Sequence, residues 1–410
     1  MPKPYLSVVI PTYNRHGLLQ WHLRELCNQS LSRDEFEVIV VDDCSTDPAY
    51  EKVSSLSMPY SLRVFRTEQN SGPATARNLG VEKANGEKIL FVGDDTIPHK
   101  HLLYRHWLEH KNRPEPCAIQ GFTDWHPYLP PDTFHAMLHA GPQASWNNLK
   151  DANGNWMERD QSLTGWFLTT NCSIDREMFV RVGSFLPDLK EAAWEDILFA
   201  LMLNQWGGKC YLEPEAINYH YHRQSLDGFV ARQIKEGFWR PVLCREYIHV
   251  SSQMLDTPGL RDTNVDMLTA AVEVARGLHY NENPAVQEAR WQAWQTAFRY
   301  ASLEGIRRGL AARTKICPIW QAIPHLHLND AIIHTVGACA GYEKKDYVAA
   351  FVSSEWARNA EPQAWCMPAI QGEIVLAQSK VSEAIDYFRK SVAMSAGEKW
   401  PLERLVELTQ

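Results

Sequence analysis

The first hundred residues alternate between two hydrophobic rhythms. LSVVIP (6–11), FEVIVV (36–41), LRVF (62–65) and KILFV (88–92) are short, largely β-branched and almost wholly apolar. Such runs fit strands buried on both faces of a parallel sheet. Between the first two, Leu18, Leu19, Leu23, Leu26 and Cys27 fall at helical spacing within residues 16–29, and residues 73–84 read as a second helix. Strand–helix alternation predicts a doubly wound α/β sheet, which binds ligands beyond the carboxyl ends of its strands.

From about 100 to 190 the pattern is mixed, with Pro-, Trp- and His-rich loops at 124–132 and an Asn/Gly turn at 151–155. Residues 195–206 read as helix, Gly207-Gly208 as a break and 209–213 as a strand. After about 225 long helical patterns take over. AGYEKKDYVAAF (340–351) and AQSKVSEAIDYF (377–388) align at an offset of 37 residues. A tetratricopeptide-like helix pair, whose period is near 34, then requires an insertion around 360–363. Three regions are expected: an α/β domain over 1–245, helices over 246–325 and a helical repeat over 326–410.

Composition narrows the classes of function. The 410 residues are 45% apolar, enough for a large core, and 49 acids against 41 bases give a net charge of −8. That balance argues against a nucleic-acid surface, which needs a basic excess, but leaves room for a local anion pocket. No basic segment followed by an apolar run opens the chain, and no apolar run approaches 18 residues. Neither a signal peptide nor a spanning helix is expected, and any membrane contact would be peripheral. Nine cysteines, at 27, 44, 117, 172, 210, 244, 317, 339 and 366, include no CxxC pair. They read as reduced thiols of a cytoplasmic protein.

The candidate chemistry sits in five segments: PTYNR (11–15), VDDCSTD (41–47), NSGPATARNLG (70–80), FVGDDTIP (91–98) and Trp194-Glu195-Asp196. Asp42-Asp43 and Asp94-Asp95 both follow apolar strands, so they are expected to converge at one sheet edge. Paired carboxylates suit Mg²⁺ or Mn²⁺ shared with phosphate oxygens, although GDDT alone reads equally well as an acidic turn. A carboxylate beside Trp194 at a helix start suits a general base whose pKa burial raises; the plainer alternative is helix N-terminal stabilisation. His106, Glu109 and His110 match the short H-x-x-E-H zinc pattern. With no third ligand in view, an exposed structural helix is the better expectation.

In their order, P-T-Y-N-R, V-D-D-x-S-x-D, N-x-G-x-x-x-A-R-N-x-G, an acidic pair followed by Pro, and W-E-D resemble the family 2 glycosyltransferases of GT-A fold, over roughly residues 5–225. The resemblance implies a nucleotide-diphosphate sugar donor, UDP-linked by preference, a divalent cation (Mn²⁺ or Mg²⁺) and inversion at the anomeric carbon. It implies that Pro11, Thr12, Tyr13 and Arg15 line the donor pocket, that Asp43 meets the nucleobase and that Arg77 meets base or phosphate. Asp94 would hold the ribose and Asp95 the cation, with Gly93 where the commoner D-x-D form has its first acid. His220 would complete the cation's shell or contact the diphosphate, Arg223 would contact phosphate, and Asn171 would touch donor or acceptor. Asp196, next to Glu195, would be the catalytic base. The implied acceptor is a hydroxyl of a saccharide, a lipid-linked sugar or a protein or peptide. The C-terminal helices suit a protein partner or self-association. The alternative is a non-catalytic sugar-nucleotide-binding scaffold, or an interaction module acting through those helices; the intact acids argue against it.

Overall fold

A computed structural model of the chain describes residues 3–129, 134, 156, 162–163, 165–248, 254–277 and 284–409. The expected turn at 151–155 and the end of the 124–132 loop lie outside the described residues. The chain forms two compact units, Met1–Ser225 and Leu226–Gln410.

In the first unit the four apolar runs are strands: β1 (Leu6–Thr12), β2 (Phe36–Asp42), β3 (Ser61–Arg66) and β4 (Lys88–Val92). Helices α1 (His16–Glu25), α2 (Ala49–Ser54) and α3 (Pro73–Lys83) connect them. There follow β5 (Thr96–Pro98), α4 (Leu102–Asn112), β6 (Ala118–Trp125), β7 (Asn171–Asp175), α5 (Arg176–Val182), α6 (Glu195–Gln205) and β8 (Cys210–His220). The sheet order is β3-β2-β1-β4-β7-β6-β8-β5. The first four strands are parallel, β7 enters antiparallel between β4 and β6, β6 and β8 are parallel, and β5 pairs antiparallel to β8. The outcome is a mixed, mostly parallel α/β sheet. Strand pleating sends alternate residues to opposite faces. Val9 therefore joins a cluster around Phe91, Phe167, Phe179, Phe185 and Phe199, while Val8 and Ile10 join Leu19, Leu23 and Phe36 on the other face.

One irregularity sets the outer half of this sheet. The register between β6 and β8 shifts between Gly121 and Phe122. Asn171 Nδ2 bridges the shift, donating to Phe122 O (2.9 Å) and Ala216 O (2.7 Å). Gly121 is required there, because a Cβ would stand 2.4 Å from that nitrogen. Past the bulge, Trp125 is paired with His220.

The second unit is helical: α7 (Leu226–Glu246), α8 (Thr257–Asp262), α9 (Val265–Gly277), α10 (Pro284–Thr314) and a 3₁₀ segment (Pro318–His325). Then come α11 (Asn329–Glu343), α12 (Tyr347–Ala360), α13 (Cys366–Ala377), α14 (Val381–Met394) and α15 (Lys399–Thr409). The turns joining α11 to α12 and α13 to α14 are alike. Lys345 and Ser379, 34 residues apart, both take positive φ (60° and 63°). The next N–H donates back to Gly341 O in one turn and to Val375 O in the other. The geometric period is thus 34 residues. The 37-residue sequence alignment slid the second copy by nearly one helical turn, and no insertion is needed between these turns. Trp320, Ile370, Ile374 and Phe388 are core residues of this unit. Among the described residues no helix is long and apolar enough to cross a membrane.

Candidate active site

The carboxyl ends of β1, β2 and β4 are joined through Thr12. Its carbonyl accepts from the Asp43 N–H (2.9 Å) and its Oγ1 donates to Asp94 Oδ2 (2.8 Å). The two acidic pairs therefore meet at one sheet edge, as their positions after strands require. Asn14, with φ of 56°, ties the loops together: its Oδ1 accepts from the Thr46 and Asp47 N–H groups (2.8 and 3.1 Å). Pro11 is half-buried and Tyr13 is 42% exposed, leaving the tyrosine as the open surface of the strand end.

Asp94 and Asp95 are both buried. Arg15 Nη1 bridges them, donating to Asp94 Oδ1 (3.2 Å) and Asp95 Oδ2 (2.6 Å). His220 Nε2 reaches the same Asp95 oxygen at 3.3 Å. Pairing of β5 with β8 sets this contact: Thr96 lies opposite His220, and the Tyr221 N–H donates to Asp95 O (2.8 Å). Asn218 supports the turn from beneath, its Nδ2 donating to Thr96 Oγ1 and Thr170 O (2.8 Å each). Burial lifts the Asp94 carboxyl to about 6, with the charge of Asp95 adding and Arg15 opposing. Burial acts on Asp95 in the same sense, but His220, Arg15 and His222 outweigh it and hold that carboxyl well below the usual range. The pair thus carries one firmly ionised carboxylate, on the residue facing the imidazoles.

An aspartate oxygen opposed by imidazole nitrogen is a donor set that Mn²⁺ accepts well; Mg²⁺ prefers oxygen throughout. Among the described residues no group of three or more His, Cys, Asp and Glu side chains converges on one cation position. The protein therefore offers part of a shell, and phosphate oxygens and water are the usual remainder for such ions.

Other expected residues divide by environment. Asp43 is spent on the loop before α3: Oδ1 accepts from Thr67 Oγ1 (2.9 Å) and the Ser71 N–H (3.0 Å), Oδ2 from the Gly72 N–H (2.7 Å). Gly72 has φ of 88°, and a Cβ there would lie 2.1 Å from Lys190 O. Arg77, also on the helix this loop opens, is 7% exposed and bonds Glu195 Oε1 at 2.8 Å. That buried pair fastens the start of α6, where Trp194 takes the left-handed conformation (φ 70°) unusual for so large a side chain. Asp196 sits in the first turn, half-buried, its Oδ1 accepting from the Ile197 N–H (2.8 Å). Arg223 is exposed just beyond β8.

Asn171 does not line a ligand surface. It is 0% exposed, and both amide hydrogens are committed to the bulge. It also ends a buried relay that accounts for the H-x-x-E-H segment. His106 Nε2 lies 2.9 Å from Asn171 Oδ1, and Ser173 Oγ lies 2.8 Å from both His106 Nδ1 and His110 Nε2. Cys117 Sγ meets His110 Nδ1 at 4.0 Å. Only one direction gives every acceptor a proton: the thiol to His110, His110 Nε2–H to Ser173, the hydroxyl to His106, and His106 Nε2–H to Asn171. Both rings are neutral in that chain, and burial lowers the pKa of each, His106 to about 4. Zinc has no free nitrogen pair here. The helix is structural, but it departs from the exposed one expected, since His106, Glu109 and His110 are all buried.

The spacing of residues did not expose Trp125, whose ring stacks on His220 (centroids 5.2 Å apart, 25°), or the cluster of Trp21, His126 and Tyr221 alongside. Only the strand pairing beyond the bulge brings them to the site.

Residues 7–179 match the family described as "Glycosyl transferase family 2". The chain is 41% identical over 98 residues to the poly(ribitol-phosphate) beta-N-acetylglucosaminyltransferase TarS of Staphylococcus aureus, covering 24% of this chain and 17% of that protein. It is 28% identical over 223 residues to validoxylamine A glucosyltransferase of Streptomyces hygroscopicus subsp. limoneus, covering 50% of this chain and 49% of that protein. The chain thus spans half or less of the length of these curated relatives. Among solved structures, S. aureus TarS 1-349 in complex with UDP-GlcNAc has a TM-score of 0.46 at 18% identity, covering 74% of this chain and 91% of that one. The chain carries a glycosyl transferase family 2 domain over residues 7–179.

Proposed function

We propose that the first unit transfers a sugar from a nucleotide-diphosphate donor, UDP-linked by preference, to an acceptor hydroxyl with inversion. One observation carries this reading: the Asp95 carboxylate faces His220 at 3.3 Å at the strand ends, beside Asp94 and Thr12. The names of two relatives, an N-acetylglucosaminyltransferase and a glucosyltransferase, support the transferase class.

In this proposal Asp95 and His220 hold a divalent cation, with Mn²⁺ the better match. When bound, it offsets the charge that develops on the departing diphosphate. Pro11, Thr12 and Tyr13 line the nucleoside, Asp94 accepts from the ribose, and Arg15 and Arg223 add positive charge towards phosphate. Asp43 and Arg77 act through the loop and helix they fix. Asp196 takes the proton of the acceptor hydroxyl as its oxygen attacks the anomeric carbon and the bond to the β-phosphate oxygen breaks. A single displacement inverts that carbon. Glu195, paired to Arg77, orients the helix start that carries Asp196. The acceptor is a saccharide-type hydroxyl, and the 34-residue helical period supports a tetratricopeptide-like second unit.

A thermal-shift panel of UDP, GDP, dTDP and CDP sugars, each with Mn²⁺ and with Mg²⁺, tests the reading. The largest stabilisation is expected from a UDP-sugar with Mn²⁺, accompanied by metal-dependent release of UDP. No stabilisation by any of the four donors contradicts it.

A further inference from the structure

At one end of the helical unit, a cavity of about 500 Å³ opens where three connections meet. Its lining comes from the 3₁₀ segment (Gln321, His325), the residue before α13 (Trp365), and the α14–α15 turn with the start of α15 (Glu398, Trp400, Glu403). The volume lies within the range of small-molecule sites, roughly 300–1,000 Å³. Two features distinguish the cavity from an ordinary crevice. Its apolar wall is made of indoles, Trp365 and Trp400, set edge to face at 6.1 Å, with His325 against Trp365 at 4.7 Å. Its polar groups are unspent: among the described residues the side chains of Gln321, His325, Glu398, Lys399 and Glu403 have no hydrogen-bond or ion-pair partner. Trp400 is the fixed part of the floor, since it is 8% exposed and its Nε1–H is held by the buried Glu373 carboxylate (3.1 Å).

We propose that this cavity is a saccharide-binding subsite that holds a neutral sugar unit. This rests on the glycosyltransferase reading only for its purpose; the binding chemistry is local. A sugar ring has an apolar C–H face and a rim of hydroxyls that both donate and accept. Indole faces suit the first, and a mixed set of carboxylate, amide, ammonium and imidazole groups suits the second. Burial lowers the pKa of His325, so its ring is neutral near pH 7 and offers one donor and one acceptor. Two carboxylates against one ammonium disfavour a phosphate. Lys399 disfavours an alkylammonium guest, which would want the aromatic wall without a competing cation.

Saturation-transfer NMR on the full chain with cellotetraose, maltotetraose, chitotetraose and mannotetraose tests the proposal. Binding of at least one is expected, weakened roughly tenfold, about 1.4 kcal/mol, by Trp365→Ala. Glu403→Gln and Gln321→Ala, on partly or fully exposed positions that leave the core untouched, are expected to weaken it less. UDP-glucose binding, followed in the same samples, is expected to be unchanged. Absence of binding by all four oligosaccharides, binding indifferent to the three substitutions, or tighter binding of tetramethylammonium overturns the subsite. If UDP-glucose binds while the oligosaccharides do not, only the subsite falls; loss of UDP-glucose binding in the unsubstituted chain counts against the transferase reading instead.

Discussion

Arg15 Nη1 lies 2.6 Å from Asp95 Oδ2, the same oxygen that His220 Nε2 approaches at 3.3 Å. The guanidinium and a divalent cation would therefore compete for one carboxylate. Arg15→Gln removes the permanent charge from the Asp94–Asp95 pair. Mn²⁺ binding to the nucleotide-free protein, followed by electron paramagnetic resonance, is expected to tighten about tenfold, while the donor's KM rises because the charge proposed to face phosphate is gone. Unchanged or weaker Mn²⁺ affinity contradicts competition.

Asp43 should behave first as a structural residue. Asp43→Ala leaves the Ser71 and Gly72 N–H groups and the Thr67 hydroxyl without their acceptor. A loss of about 3 kcal/mol in urea unfolding is expected. Asp43→Asn keeps one oxygen and should cost about half of that. A stable Asp43→Ala protein that has lost only uridine recognition contradicts this order of effects.

The Arg77–Glu195 pair is almost dry, with side chains 9% and 5% exposed. Arg77→Leu leaves a buried carboxylate without its cation, and a destabilisation of about 3–5 kcal/mol is expected. The double variant Arg77→Leu/Glu195→Leu should recover part of it, so a double-mutant cycle is strongly non-additive. Glu195→Gln is expected to lower kcat more than it alters donor KM, because it disturbs the helix start beneath Asp196. A variant with altered KM alone contradicts a positioning role.

Acid should weaken the first unit through its buried imidazoles. His106 has a folded pKa of about 4, below the ordinary 6.5, and His110 shifts in the same direction. As pH falls below 6.5 the unfolded chain takes up protons that the folded one refuses. The contribution is fully present above pH 6.5 and lost progressively towards pH 4. At about 1.4 kcal/mol per unit, one such ring accounts for at most about 3 kcal/mol. Urea midpoints at pH 7.5, 6 and 5 should fall more steeply for the natural chain than for His106→Asn; parallel profiles contradict the relay.

The strands and acidic pairs were legible because β-branched runs and the residues that follow them are local signals. Pairing across the sheet was not. Asn171 stands where the motif pattern suggests a ligand contact, yet β7 carries it between β4 and β6 into the bulge. Arg77 reads from the motif as a base or phosphate contact or as half of a carboxylate pair, and its partner Glu195 could not be picked out because it lies 118 residues away. The short repeat alignment favoured 37 residues because small and large residues recur at helical spacing, so a slide of one turn preserves the pattern. Only the matched positive-φ turns at Lys345 and Ser379 fix the period.

Asp196→Asn separates donor binding from removal of the acceptor's proton. Donor affinity measured by calorimetry with UDP-glucose and Mn²⁺ should be unchanged, while transfer to an acceptor falls at least about a hundredfold. Retained turnover, or donor binding lost along with it, would contradict Asp196 as the group that takes the acceptor's proton.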